Sequence, residues 1–391
     1  MAMTGSDMRG LDLTKGVVTS VLFLALALCG RAAETPPAAK PPVTRVALER
    51  VAGDPARENH EVSQFLGADA KGRVFLLHGD TLAVDQVLPS GKLVSWREPQ
   101  GKEGSDAELS DAALSSDGSS WVLTTAFGHE LSLLTGDGLR KLPTVHWWVS
   151  SLTYTADGPV LAVLPGWGGG TDAASRAEWE QPPFLLRLDG QAWQTLSVQE
   201  GLKLISEKPP MLPSPDKTKA ERDVKLAAGR NGAFWAAQQN AYLLKRYSRQ
   251  GAVEESVAVN GGRVEWKQRT EEDFKALDKT FGRKIDRSHN MSAVRVVRGL
   301  TVEGNRVYQV VEAPEGVALD RWDDDSQALD RLLLDGIAPG LRHLSLAAGR
   351  DGLYIAAGGL GQPIWRLEWQ RLENVRWKAV KEVVAERPRK Q

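Results

Sequence analysis

The stretch Asp117-Gly118-Ser119-Ser120-Trp121 contains the pattern that decides the fold. Asp-Gly between two alternating apolar runs is a strong hairpin signal, because glycine accepts the positive φ that a tight turn requires. Related patterns, each a turn ending in glycine followed by a strand that begins with apolar residues, recur along the chain. Their glycines are Gly72, Gly118, Gly158, Gly232, Gly304 and Gly352. The sequence therefore contains six similar units.

The spacing of these turns indicates the size of each unit. Three of the intervals are roughly 40 to 50 residues, the length of one four-stranded propeller blade, and the two longer ones fit a blade with an insertion. A second glycine turn follows in most units, at Gly91, Gly138, Gly190, Gly251 and Gly336. We therefore predict an all-β, six-bladed β-propeller. The predicted blades are 60–100, 108–144, 148–198, 224–267, 293–340 and 342–383.

The ends of the repeat region leave the blade number open. The stretch 43–51 is expected to add a strand to the last blade and close the ring, which removes the free edge of the sheet row. Alternatively, 43–51 and 378–384 pair into a degenerate seventh blade.

Composition agrees with this fold and excludes one class of partner. The 391 residues include 38 Gly and 20 Pro, which many short strands joined by tight turns require. The chain carries 49 Lys and Arg against 50 Asp and Glu, a net charge of -1. Because no basic excess is present, no nucleic-acid partner is expected.

The Asp-Gly-x-x-Trp pattern and its spacing resemble the propellers of bacterial sensor ectodomains of the two-component-regulator type. They are also similar to NHL and gluconolactonase-like propellers. The resemblance covers residues 60–383 and implies an exported bacterial propeller. It leaves the activity open, because one fold serves many functions.

The first 33 residues have the order of a secretory signal. Arg9 and Lys15 precede the apolar run 17–28, and small residues follow it. That run is too short for a permanent membrane span. We predict a signal peptide at 1–33, a periplasmic or extracellular location, and no transmembrane span in the mature chain. A Pro/Ala-rich linker (34–42), the propeller (43–385) and a basic tail (386–391) follow.

Cys29 is the only cysteine and ends the apolar run. Its surroundings resemble the lipobox of bacterial lipoproteins, although Leu28 stands where that motif has a small residue. Two outcomes follow: cleavage near Ala32 or Ala33 removes the cysteine, or Cys29 is acylated and anchors the protein to a membrane.

Long segments are predicted on one face of the propeller. With the strands of a blade lettered A to D from the channel outward, both series of tight turns are A–B and C–D connections. The long segments 165–182, 205–221, 267–291 and 312–327 are therefore predicted as B–C or D–A connections. Such loops are uncommon without a use, so this face is the predicted site of a partner.

One of these segments contains a predicted helix. Thr270 is the expected N-cap, Asp273 occupies the capping-box position, and Gly282 is the expected C-cap. Phe274, Leu277 and Phe281 share one face of this helix. The helix is expected either to pack on the rim of the propeller or to act as a lid over the channel.

Tryptophans near the long segments are the candidate partner-binding residues. Trp167 and Trp179 lie in the first long segment, and Trp147 and Trp148 at the entry to blade 3. Exposed tryptophan is favoured at binding sites. The alternative is that each ring packs under its own blade.

Motifs for common catalytic classes are missing from the sequence. It contains no His-Glu-x-x-His, Gly-x-Ser-x-Gly or glycine loop ending in Gly-Lys-Ser/Thr. Polar residues are nevertheless expected near the starts of the A strands, where a propeller enzyme can hold Ca²⁺ or Zn²⁺ in its channel. They are Gln64, Asp111, Ser150, Asp223 and His343, of which Asp111, Asp223 and His343 are the candidate metal ligands.

We therefore predict an exported, non-catalytic binding or scaffold module for a protein or cell-envelope glycan, without a required cofactor. The alternatives are a metal-dependent propeller hydrolase or lactonase, and a sensor ectodomain that binds a small molecule in its channel.

Overall fold

The structure, a computed structural model, describes most of the chain after residue 43. The described residues are 44–53, 64–97, 109–125, 130–145, 147–164, 183–198, 223–262, 266–281, 284, 287, 291–293, 296–337, 344–358 and 362–387. Thr44–Gln391 forms one compact unit. Six small antiparallel sheets lie in a ring, so the predicted six-bladed β-propeller is confirmed.

The first half of the chain supplies two short N-terminal strands and blades 1 to 3. The N-terminal strands are β1 (Arg45–Ala47) and β2 (Glu49–Ala52). Blade 1 consists of β3 (Gln64–Ala68), β4 (Val74–His78), β5 (Val84–Val87) and β6 (Leu93–Arg97). Blade 2 consists of β7 (Leu109–Leu114), β8 (Ser120–Thr125), β9 (Leu131–Thr135) and β10 (Gly138–Lys141). Blade 3 consists of β11 (Trp148–Thr155), β12 (Gly158–Leu164), β13 (Pro183–Asp189) and β14 (Ala192–Val198).

The second half supplies blades 4 to 6 and an insertion. Blade 4 consists of β15 (Val224–Ala228), β16 (Phe234–Gln238), β17 (Leu243–Tyr247) and β18 (Val253–Val259), with 3₁₀ turns at Arg230–Gly232 and Asn260–Gly262. A small hairpin of β19 (Trp266–Gln268) and β20 (Met291–Ala293) follows and carries helix α1 (Glu271–Phe281). Blade 5 consists of β21 (Val297–Glu303), β22 (Arg306–Ala313), β23 (Gly316–Asp323) and β24 (Ala328–Asp335). Blade 6 contains β25 (Leu344–Ala348), β26 (Gly352–Ala357) and β27 (Ile364–Glu368), after which come α2 (Trp369–Asn374), β28 (Lys378–Ala379) and β29 (Val383–Glu386).

The N-terminal stretch closes the ring, as predicted. Strand β2 pairs antiparallel with β27 and supplies the outer strand of blade 6, with Arg50 opposite Trp365. Arg366 Nη2 donates a hydrogen bond of 2.8 Å to Glu49 Oε2 across this junction. The last blade is therefore completed by the first strands of the domain.

The alternative of a seventh, degenerate blade is wrong. Strand β1 pairs in parallel with β24 and β28 pairs antiparallel with the same strand, so both extend blade 5. Strand β29 pairs with β18 and extends blade 4. The terminal segments hydrogen bond to the unpaired backbone groups at the edges of blades 4 and 5. Two short segments paired only with each other would form a sheet too small to be stable.

The predicted loop at 312–327 is also wrong. Strand β22 runs to Ala313, a tight turn leads into β23 at Gly316, and a second short turn, Asp324–Gln327, leads into β24. This C–D turn has no glycine: Gln327 takes the positive φ of 53°. Because no glycine marks this turn, the sequence pattern points to Gly336 as the second turn of the unit, but Gly336 lies after β24.

The turn glycines also let neighbouring blades approach each other. Gly232 has φ of +78°, and a Cβ atom there would lie 2.6 Å from Oδ2 of Asp157 in the adjacent blade. Trp121 and Trp235 follow their turns and are 1% and 4% exposed, as expected of packing residues. No helix among the described residues is long and apolar enough to cross a membrane.

Candidate functional site

The A strands surround a channel of about 300 Å³. Its wall is formed by segments of all six blades: 64–70, 110–114, 151–154, 225–228, 299–303 and 344–348, with Ser116. An A strand has no neighbouring strand on its channel side, so backbone groups on that edge need other hydrogen-bond partners.

Side chains of three A strands accept hydrogen bonds from the backbone of the next blade. Asp111 Oδ2 accepts from Leu152 N (2.9 Å), Ser151 Oγ from Leu226 N (3.1 Å), and Ser345 Oγ from Leu66 N (2.8 Å). The three acceptors occupy the same place in the repeat, relative to Gly118, Gly158 and Gly352 respectively. This position therefore joins blades 2 to 3, 3 to 4, and 6 to 1.

Two other junctions rely on glycine. A Cβ atom on Gly67 would lie 2.5 Å from Leu114 Cβ, and one on Gly299 would meet the side chain of Leu346. Blades 1 and 2 therefore pack closely because Gly67 has no side chain, and blades 5 and 6 because Gly299 has none. No polar bridge is needed at these two junctions.

Lys225 occupies the bridging position of blade 4 and breaks this pattern. An ammonium group only donates hydrogen bonds, so Lys225 cannot accept one from a backbone N–H of blade 5 as the other bridging side chains do in their junctions. Its Nζ instead lies 3.7 Å from Asp111 Oδ2 of blade 2, and the two side chains are 20% and 12% exposed. This pair spans the channel past the A strand of blade 3. Lys225 is the one basic side chain among the described residues that line the channel.

Asp223 lies just before β15 and joins three blades. Its Oδ1 accepts hydrogen bonds from Ser150 Oγ of blade 3 (3.1 Å) and from Gln239 Nε2 of blade 4 (2.6 Å). The carbonyl of Gln239 in turn accepts from Val296 N and Val297 N, at the start of blade 5. Asp223 is 7% exposed, so its carboxylate belongs to a buried polar network.

The three candidate metal ligands are placed differently. Asp111 and Asp223 both lie near the starts of A strands, as predicted, and both carboxylates hydrogen bond to the protein as described above. His343 lies outside the described residues. Within the described part of the chain, no three His, Cys, Asp or Glu side chains are grouped to hold a metal ion. A Ca²⁺ or Zn²⁺ site stays a prediction.

The B–C and D–A connections define what we call the loop face. The segment 165–182 joins β12 to β13, 205–221 joins β14 to β15, and the hairpin that carries α1 joins blades 4 and 5. All three leave and re-enter the blades on this face. The first two segments, with Trp167 and Trp179, lie outside the described residues, as do residues 1–43 with Cys29.

Trp148 is the candidate partner-binding residue that the structure describes. It begins β11, pairs with Leu164 at the loop-face end of blade 3, and is half-buried. Trp147 is only 6% exposed and packs with Leu142 and Val149. Trp147 therefore belongs to the core, whereas Trp148 lies where 165–182 begins.

Helix α1 begins as the capping pattern predicts. Thr270 N donates to Asp273 Oδ2 (2.8 Å), and Asp273 N donates to Thr270 Oγ1 (3.2 Å). The bond from Thr270 N, together with one from Thr270 Oγ1 to the same carboxylate oxygen (3.0 Å), lowers the pKa of Asp273. Phe274 is 4% exposed, with the Arg287 guanidinium 4.7 Å from its ring centroid, and Arg287 binds Asp278 at 2.9 Å. The helix is thus held within its own insertion by a reciprocal cap and an arginine clamp; Gly282 lies outside the described residues.

Gln64 and Lys225 are two of the described channel residues that depart from the bridging pattern. Gln64 is 5% exposed, and its Oε1 has no hydrogen-bond partner. Sequence reasoning named Gln64 but missed Lys225. The available signal was the repeat position itself, at which Lys225 replaces the Ser or Asp of three other blades.

Comparisons with known proteins identify similar folds only. No protein-family model and no curated protein matches the chain. A solved structure of unknown function from Bacteroides thetaiotaomicron shares 11% identity over 82% of this chain and 75% of that chain, with a TM-score of 0.48. Virginiamycin B lyase from Staphylococcus aureus shares 11% identity over 82% and 98%, with a TM-score of 0.43. The WD40 repeats of RRP9 share 12% over 82% and 99%, with a TM-score of 0.41.

Proposed function

We propose that this chain is an exported, non-catalytic binding module that recognises a protein or a cell-envelope glycan through its loop face. The observation that carries the proposal is the one-sided placement of the long connections. Three of them leave from the loop face, whereas the A–B and C–D turns on the opposite face are short. Long connections concentrated on one face of a rigid ring are characteristic of recognition surfaces.

The insertion between blades 4 and 5 supports this proposal. It contains a paired hairpin, a capped helix and the Arg287 contacts to Asp278 and Phe274. An insertion with its own internal contacts presents a defined surface at low entropic cost on binding. Trp148 lies on the same face and adds an aromatic ring to it.

The test removes this insertion without disturbing the blades. Gln268 lies opposite Met291 in the hairpin, so residues 269–290 can be replaced by Asn-Gly, which closes a two-residue turn. The matched control changes the opposite face by Asp137→Ala with Gln191→Ala, at two exposed C–D turn residues. Binding is measured by sedimentation with isolated cell envelopes and by crosslinking in the source organism.

The proposal expects the shortened variant to lose at least about tenfold in binding while the control stays at the wild-type level. Protease treatment of the envelopes abolishes binding to a protein partner, and glycan hydrolases abolish binding to a glycan. Full binding by the shortened variant, together with a loss in the control, would reject the loop face as the recognition surface.

Export is part of the same proposal and has its own test. Mass spectrometry of the mature protein distinguishes an N-terminus near residue 33 from an acylated Cys29. Cys29→Ala leaves the first outcome unchanged and releases the protein from the membrane fraction in the second. Detection of the intact N-terminus at Met1 in the cytoplasmic fraction alone would contradict export.

A further inference from the structure

Strand β29 is held on the outside of blade 4 by few contacts. Its four residues pair antiparallel with β18, from Glu386 opposite Ser256 to Val383 opposite Val259. Three of the four side chains are exposed, and Val384 is 51% exposed. Because β29 buries little apolar surface, its attachment depends on backbone pairing and on the residue that follows it.

That residue, Arg387, anchors β29 through its charge. Its Nε donates a hydrogen bond of 3.0 Å to Glu255 Oε1 on β18, and its Nη2 donates one of 2.7 Å to Asp324 Oδ1 in blade 5. Glu255 is only 1% exposed, and a buried carboxylate needs a cation. Among the described residues, Arg387 is the one cation paired with Glu255. The edge of β18 with Glu255 therefore accepts a strand that is followed by an arginine.

The connection into β29 is short and strained. Val380 N donates to Leu329 O (2.9 Å) on blade 5, and Glu382 O accepts from Asn260 N (3.3 Å) on blade 4. The chain thus crosses between the two blades at Lys381 and Glu382. Glu382 has a φ of 60°, a left-handed conformation in which the Cβ atom is crowded. Short hinge loops under strain favour exchange of the next element between copies, because an open hinge releases the strain.

We propose that two copies of this chain exchange β29, so that the strand and Arg387 of each copy dock on β18 and Glu255 of the other. The exchanged pair makes the same backbone pairs and the same Arg387 contacts as a single copy, so no new interface is required. A second copy is the partner whose segment is known to fit this edge. The gain is a hinge in which Glu382 leaves its left-handed conformation, and the cost is the lost freedom of one molecule. The dimer therefore increases with protein concentration and does not depend on the loop face.

A disulfide trap distinguishes exchange from docking within one copy. Ala258 lies opposite Val384 in the β18–β29 pair, and directly opposed residues of antiparallel strands are close enough for a disulfide. Full-length Ala258→Cys and Val384→Cys chains, both in a Cys29→Ala background, are concentrated together and then oxidised. The matched control mixes Ala258→Cys with Asp137→Cys, an exposed site on blade 2. The double variant, with Ala258→Cys and Val384→Cys in one chain, reports whether the strand pair itself cross-links.

The expected result is a covalent dimer from the first mixture on a non-reducing gel and only background dimer from the control mixture. The dilute double variant should form its disulfide within one chain. A double variant that cross-links internally, combined with no dimer above background in the first mixture, overturns the exchange. A double variant that forms no disulfide at all overturns the β18–β29 register on which the proposal rests.

Two substitutions at the hinge test the role of strain. Glu382→Gly removes the crowded Cβ atom and stabilises the closed hinge, so the dimer association constant should fall at least about tenfold. Glu382→Ala keeps a Cβ atom and is the matched control, which should dimerise as the wild type does. Light scattering after size-exclusion chromatography measures dimerisation after incubation at about 1 μM to about 1 mM protein.

The same measurement contains the contrary outcomes. A wild-type chain that stays monomeric over the whole concentration range contradicts the exchange. A dimer that Glu382→Gly and Glu382→Ala weaken equally, or that neither weakens, shows that strain at Glu382 does not drive it.

Discussion

Arg331 holds Asp320 by two hydrogen bonds, 2.7 Å from Nε to Oδ1 and 2.8 Å from Nη2 to Oδ2, and Asp320 is completely buried. The Tyr242 hydroxyl also donates to Asp320 Oδ2 and accepts from Gln309 Nε2. Burial and the Asp320 charge raise the pKa of Tyr242 above its usual value. Because Tyr242 immediately precedes β17 and Asp320 lies on β23, this network joins blades 4 and 5.

Removing one member of the network should destabilise the fold strongly. Asp320→Ala leaves the Arg331 charge buried without its partner, and we expect a loss of about 3–5 kcal/mol in the free energy of unfolding. Tyr242→Phe removes one hydroxyl and should cost about 1–3 kcal/mol. Urea unfolding followed by circular dichroism measures both changes.

Tyr247→Phe is the matched control, because Tyr247 is equally buried and desolvation alone raises its pKa to about 12. It should cost less than Tyr242→Phe. Equal losses in the two phenylalanine variants would show that the Asp320 network adds nothing beyond burial.

The side-chain bridges between A strands should also contribute to stability. Asp111→Ala and Ser151→Ala leave Leu152 N and Leu226 N without their acceptors, and each should cost about 1–3 kcal/mol. Asp111→Asn keeps an acceptor oxygen and should cost less than Asp111→Ala. Thermal and urea unfolding of the three variants test this order, and it fails if the asparagine and alanine variants are equally unstable.

Because of Asp117, the stability of the fold should fall as the pH is lowered in the acidic range. Hydrogen bonds from Ser115 and from the backbone and hydroxyl of Ser119 lower the pKa of Asp117 to about 2. A lowered folded-state pKa stabilises the protein above the ordinary value of 3.8, and this contribution is lost as pH falls through about 2.

Asp117→Asn should therefore lower the melting temperature at pH 6 by more than at pH 2. The effect is small, because Asp117 is exposed and water screens its charge. A pH-independent difference between the two proteins would rule out a role for the carboxylate charge in closing this turn.

Metal titration tests the candidate ligands in the channel. The carboxylates of Asp111 and Asp223 already accept hydrogen bonds from other residues of the protein. We therefore expect no binding of Ca²⁺ or Zn²⁺ tighter than about 10 μM. Isothermal titration of the mature domain measures this directly. Tighter binding that is lost in Asp111→Ala with Asp223→Ala, or in His343→Ala, would instead favour the metal-dependent hydrolase.

Alanine substitution of the candidate tryptophans should distinguish a role in partner binding from a role in core packing. A binding role predicts that Trp167→Ala with Trp179→Ala retains near-wild-type stability and loses partner binding, since exposed truncations usually cost under ~0.5 kcal/mol. Trp148→Ala should also lose binding, with a larger loss of stability because Trp148 is half-buried. Core packing instead predicts a loss of about 3–5 kcal/mol per ring. Trp121→Ala, with a ring 1% exposed, shows the size of the packing effect in this chain.

Turn chemistry made most of the fold predictable, and its absence explains the errors. All six units carry a glycine at the A–B turn, and an A–B connection of two adjacent strands is present at each of these places. Blade 5 was misread because Gln327 takes a left-handed conformation that its sequence does not indicate. Strands β28 and β29 are short and mostly exposed, so no alternating pattern marks them.

The candidate site was only partly predictable for a different reason. The counting of residues back from each turn glycine places Asp111, Ser150 and Gln64 near the channel, because blades of equal design align their A strands. The pairing of Lys225 with Asp111 depends on the channel width and on how far two side chains reach across it. The spacing of residues along the sequence does not determine the distance between these two side chains.

The pairing of Glu49 with Arg366 joins residues 317 positions apart in the sequence. Blade 6 cannot form its outer strand until β27 has been synthesised, so ring closure is a late step that pays a large loop-closure entropy. Until β2 pairs with it, the edge of β27 is open to pairing with other chains. Late ring closure would suit the export proposed above, because a chain that crosses a membrane unfolded could not complete this fold before its C-terminal strands had also crossed.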